Sequence, residues 1–74
     1  MSKLPRITGK KFIKVLSNFG FQVLRSKGSH HFLQHQDGRC TVIPVHGSEI
    51  IGSGLLSKIL RDCELTKEEI IKFI

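Results

Sequence analysis

The 74-residue chain has no tryptophan or tyrosine, only six acidic residues against twelve lysines and arginines, and two cysteines. Each shortage narrows what it can be. No apolar run approaches the ~20 residues of a membrane span, so no membrane segment is expected. The opening Met-Ser-Lys-Leu-Pro-Arg has no apolar stretch behind it, so no secretory signal is expected either. Cys40 and Cys63 belong to no CxxC pair. In a chain without an export signal they read as free thiols in the cytoplasm. A zinc site needs four converging ligands, and no spacing here supplies them, so no metal is expected. A chain this short buries only roughly 60% of its unfolded surface. One domain over residues 1–74 follows, with no room for the cleft of a small-molecule cofactor.

What is present is positive charge, unevenly placed. The formal net charge is +6. Residues 1–48 hold eight cations against the single acid Asp37, a net of +7, while residues 49–74 hold four cations against five acids, a net of −1. That asymmetry points to a polyanionic partner facing the first two-thirds of the chain, nucleic acid first among them.

The apolar pattern gives the elements. Thr8 is an N-cap candidate, and Phe12, Val15, Leu16 and Phe19 recur at helical spacing on one face. Gly20 is placed at the helix end, at C′. Lys10, Lys11 and Lys14 fall off the apolar stripe, on a face that is either solvated or turned to phosphate. Residues 21–27 read as a strand, Lys27-Gly28-Ser29 as a turn, residues 30–36 as a second strand and 39–45 as a third. Asp37-Gly38 signals a two-residue hairpin. A glycine-bearing loop over residues 46–54 leads to a second apolar stripe, Leu55, Leu56, Ile59 and Leu60. Thr66-Lys-Glu-Glu69 is a capping box opening a short last helix with Ile70, Ile71, Phe73 and Ile74. The fold class is α+β, ordered α-β-β-β-α, with helices on one face of a three-stranded antiparallel sheet and a short C-terminal helix.

The segment Lys27-Gly28-Ser29-His30-His31 carries the chemistry. Histidine titrates near neutrality, and one held at a strand edge beside Lys27 and Arg25 can both meet a phosphate and move a proton. RNA brings its own nucleophile, the 2′-OH, so metal-free cleavage needs little more. Alternation puts His30, Phe32 and Gln34 on one side of the strand and His31, Leu33 and His35 on the other. Each set holds one apolar residue, so the pattern does not name the buried side. Lys27, Arg25 and the Gly28 and Ser29 amides are candidate phosphate ligands. His46 is a candidate second proton-transfer group if the third strand ends near the turn, and His35 reads as a surface residue.

These residues, in this order, resemble the HicA toxins of type II toxin–antitoxin modules over nearly the whole chain. The shared parts are Asn18-Phe19-Gly20-Phe21, Lys27-Gly28-Ser29-His30-His31, Asp37-Gly38, Val42-Ile43-Pro44-Val45-His46-Gly47, and residues 52–61, from Gly52-Ser53-Gly54 through Ile59-Leu60-Arg61. The resemblance implies a fold similar to the double-stranded-RNA-binding domain. It further implies an endoribonuclease, an mRNA interferase, working in the cytoplasm and masked by a HicB-type antitoxin. The family's catalytic histidine falls on His30, with His31 the second choice. At Leu33 many members carry an aromatic residue, and its loss here implies weaker base stacking. Two rival readings of the residues are a non-catalytic RNA-binding module of the same fold and a protein-interaction domain docking through the last helix.

Overall fold

The structure, a computed structural model, describes residues 4–74. Of the lead-in expected over residues 1–7, residues 1–3 lie outside the described part. The order is α1 (Gly9–Ser17), β1 (Phe21–Lys27), β2 (His30–His35), β3 (Cys40–Pro44), α2 (Ser53–Cys63) and α3 (Lys67–Ile71). The sheet is antiparallel in the order β1-β2-β3, so β2 is central. This is the α+β arrangement read from the sequence.

Local signals start the helices as expected. The Thr8 side chain accepts from the Lys11 amide at 3.2 Å, which satisfies one of the free N–H groups of the first turn. Thr66 and Glu69 form a complete capping box: the Thr66 hydroxyl accepts from the Glu69 amide at 3.2 Å, and the Glu69 carboxylate accepts from the Thr66 amide at 2.8 Å. Three local expectations shift. The cap of α1 is Asn18, so Gly20 lies two residues beyond it rather than at C′. The β2–β3 connection is wider than two residues: His35 bonds across to Arg39, and Gly38 stands between them at φ +99°. The cause is the Asp37 carboxylate, which takes the Arg39 amide at 3.0 Å and holds a longer turn. Leu55 points outward at 38% exposure, and the buried stripe of α2 is Leu56, Ile59, Leu60 and Cys63.

The core is one cluster in which Phe12, Val15 and Leu16 of α1 and the buried stripe of α2 pack over Phe21, Leu33 and Ile43 of the sheet. Ile7 and Ile51 belong to it as well and are joined by a backbone hydrogen bond of 2.9 Å. The sequence pattern assigned neither, because each is a single apolar residue in a segment without periodicity. A Cβ at Gly9 would collide with the Pro44 carbonyl, so α1 starts in direct contact with the end of β3. Of the last helix only Ile70 is buried; Phe73 stays half-exposed and meets Phe19 edge-on at 5.1 Å between ring centres.

Cys63 is fully buried, which pushes its thiol up to about 12, with the Asp62 charge adding to the effect, whereas Cys40 is exposed. A thiol-specific reagent therefore titrates one equivalent in the native protein and two in denaturant. Truncating the central-strand residue Leu33 to alanine costs about 2–5 kcal/mol in urea denaturation. Leu24→Ala, at an exposed position, stays within about 0.5 kcal/mol.

Candidate active site on the open face of the sheet

Burial decides what alternation left open. Leu33 is 1% exposed and faces the helices, so His31 and His35 lie on the covered side of β2, and His30, Phe32 and Gln34 lie on the open side. The family-based reading of position 33 as a stacking site is corrected by the same fact: a side chain sealed in the core cannot stack on a base. The ring on the open face is Phe32.

The first strand contains an irregularity that assembles the site. Val23 pairs with Leu33, but Arg25 pairs with Phe32, so Leu24 is an extra residue without a partner. Such a bulge flips the side-chain alternation that follows it. Strict alternation from buried Phe21 would put Arg25 and Lys27 on the helix-facing side. The bulge instead turns them to the open face, where Arg25 lies opposite Phe32 and Lys27 opposite His30. The Arg25 guanidinium sits 4.8 Å from the centre of the Phe32 ring, a cation–π distance.

The turn completes the cluster. Gly28 takes φ +59°, the left-handed value that favours glycine, with open space around its Cα. The Gly28 and Ser29 amides donate in none of the turn and loop hydrogen bonds among the described residues. The Ser29 carbonyl accepts from the Val45 amide at 2.8 Å, and His30 pairs with Pro44. The end of β3 therefore lies against the turn, which brings the exposed His46 into the same region of the molecule.

The histidines differ sharply in setting. His30 is exposed, and its side chain makes no hydrogen bond or ion pair among the described residues. His31 is half-buried, its Nδ1 3.1 Å from the Ser29 carbonyl, to which it donates when Nδ1 carries the proton. His35 is structural rather than a plain surface residue. Its Nδ1 accepts from the Asp37 amide at 3.1 Å, and its ring meets Phe21 at 5.2 Å between centres. Lys10, Lys11 and Lys14 are exposed on the outer side of α1, in the helix layer, and do not share the open sheet face with His30. Among the described residues no three His, Cys, Asp or Glu side chains are grouped to hold a metal ion, and no helix is long and apolar enough to cross a membrane.

Residues 9–65 match the sequence family described as the HicA toxin of bacterial toxin–antitoxin systems. The chain belongs to the HicA toxin family. Among curated proteins none matches it. Membership makes this HicA chain the toxin side of a toxin–antitoxin pair, and the matched span contains the whole sheet, the turn and α2.

At the far end of the HicA sheet the Asp37 carboxylate accepts from the Arg39 amide at 3.0 Å and from the Arg39 guanidinium at 2.8 Å. Those bonds hold its carboxyl below the usual value of 3.8, the backbone bond contributing most. Because the native pKa is the lower one, the unfolded chain binds the extra proton first, and stability present above the ordinary value falls as pH drops through the native one. Asp37→Asn is expected to flatten that acid limb in urea melts recorded between about pH 5 and 2.

Proposed function

We propose that this toxin is a metal-independent endoribonuclease that cuts mRNA in the cytoplasm, with His30 as its general acid or base, and that a HicB-type antitoxin inhibits it by covering the face that carries His30. The observation that carries this reading is the bulge at Leu24, which places two cations beside an exposed histidine on a face free of helices. Neither Arg25 nor Lys27 forms an ion pair among the described residues, so both charges are available to a phosphate.

The chemistry needed is small. A base removes the 2′-OH proton, the 2′-oxygen forms a bond to phosphorus, and the bond from phosphorus to the 5′-oxygen breaks. The leaving oxygen takes a proton, giving a 2′,3′-cyclic phosphate and a 5′-hydroxyl. His30 has the exposure and freedom for one of the two proton transfers. His46, brought alongside by the pairing of β3 with the turn, is the candidate for the other. Lys27, Arg25 and the Gly28 and Ser29 amides supply positive potential where the pentacoordinate phosphorus gathers negative charge. His31 is the second choice for the catalytic position, since the Ser29 carbonyl fixes its ring on the covered side. Lys10, Lys11 and Lys14 extend the positive field toward more distant phosphates.

A single positioned acid–base group is worth roughly 10²–10⁴ in rate, or about 3–5 kcal/mol in barrier. Antitoxin-free protein incubated with mRNA in EDTA should cleave it, His30→Ala should lose a factor in that range, and His31→Ala should lose less. RNA binding should survive His30→Ala, which separates a nuclease from a non-catalytic RNA-binding module. Cleavage by His30→Ala at the wild-type rate, or an absolute need for a divalent ion, contradicts the reading.

A further inference from the structure

We propose that Phe32 is a base-stacking platform that takes the nucleobase next to the cleaved bond, so that the substrate strand must be single-stranded where it crosses the sheet. This rests on the nuclease reading above and extends it from the reacting phosphate to the shape of the substrate.

The open face is not uniformly polar. A groove of about 600 Å³ runs across it from Leu24 and Arg25 past Phe32 and Val42 and reaches Lys58 and Asp62 of α2 beside the edge strand β3. That size lies within the roughly 300–1,000 Å³ of small-ligand sites. Its floor is the pair Phe32 and Val42, which lie opposite each other on adjacent strands. Phe32 is half-buried, and Val42 and Leu24 beside it remain 38% and 61% exposed. Apolar side chains left in water invite a flat apolar surface, and a phosphate is not one. The unpaired cation of the rim is Arg25, which lies over the Phe32 ring, while Lys58 on the α2 side is paired with Asp62. The one carboxylate there, Asp62, is taken by Lys58 at 3.1 Å and by the Thr41 hydroxyl at 3.2 Å. An apolar floor with an unpaired guanidinium beside it is complementary to a base carried on a phosphate backbone.

Spacing ties the groove to the reaction. Phe32 lies two residues beyond His30 on the same face, about 6.6 Å along an extended strand. Consecutive phosphates of an extended single strand are separated by a similar step. With the reacting phosphate at His30, the neighbouring base arrives at Phe32, and Arg25 stands between ring and backbone. A base paired within a duplex has both faces already stacked and cannot enter, so the strand must be unpaired here. Stacking reads no base edge, so the platform gives structure preference rather than a sequence code.

The test uses the full chain without antitoxin and two fluorescent ten-nucleotide probes. One is a mixed-sequence RNA methylated at every 2′-OH, which cannot be cut; the other is a strand of equal length built from abasic units. The wild type should bind the base-bearing strand about 5- to 160-fold more tightly than the abasic one, the range expected for a single stacked base. Phe32→Leu should erase that preference and leave abasic binding unchanged, and Phe32→Tyr should retain it. Unchanged abasic binding also shows that Phe32→Leu still folds. If Phe32→Leu keeps the base preference, or loses affinity equally for both strands, the platform does not exist. Unchanged RNA affinity with loss of binding to an antitoxin or to a second copy would assign the groove to protein instead. Because the probes are uncleavable, the base preference is read without any cleavage. A failed nuclease reading therefore leaves this result standing, and a failed platform leaves cleavage standing.

Discussion

One extra residue in an edge strand organises the open face. Core packing fixes the first half of β1 and the middle of β2: Phe21 and Leu33 are sealed against the helices, and a strand whose side chains alternate has no freedom after that. Without Leu24 as a bulge, Arg25 and Lys27 would turn to the opposite side of the strand, away from His30 and Phe32. With it, both cations stand beside His30 and Phe32, and the edge strand gains a kink that discourages pairing with another chain. Site assembly thus depends on one local irregularity.

The two ends of the sheet are held by different means. At one end the Ser29 carbonyl takes the Val45 amide, α1 abuts Pro44, and Thr8 bridges to Ile50. These contacts fix the turn that carries His30 and the start of the loop that carries His46. At the other end Asp37, Arg39 and His35 form a polar clasp, and Arg39 reaches the Cys63 carbonyl at the end of α2. The clasp joins the β2–β3 turn to the helix layer without contributing to the open face. That division lets one end carry exposed, chemically active groups while the other carries tightly bonded ones.

Much of the fold was legible because its signals are local. The Thr8 cap, the Thr66–Glu69 capping box, the helical stripe of α1 and the order of the strands are each written within a few residues. The side on which each histidine lies was not legible. The sets His30-Phe32-Gln34 and His31-Leu33-His35 each contain one apolar residue, and only tertiary packing chooses between them. Nor was the bulge, since residues 21–27 contain no glycine or proline to mark it. Leu24 is extra only in relation to β2, a relation absent from its own segment. The Arg25–Phe32 contact and the burial of Leu33, which overturns the stacking reading of that position, follow from those two facts. The candidate residues were therefore readable as a set, and their grouping on one face was not.

The most direct measurement is a side-chain NMR titration of the antitoxin-free protein with an uncleavable single-stranded RNA. If the open face is the working surface, the imidazole signals of His30 and the ring signals of Phe32 move together, while those of His31 and the side chains of Lys10, Lys11 and Lys14 move far less. Shifts concentrated at His31 and the α1 lysines, with His30 and Phe32 unchanged, would place the RNA on the helix layer and contradict the assignment.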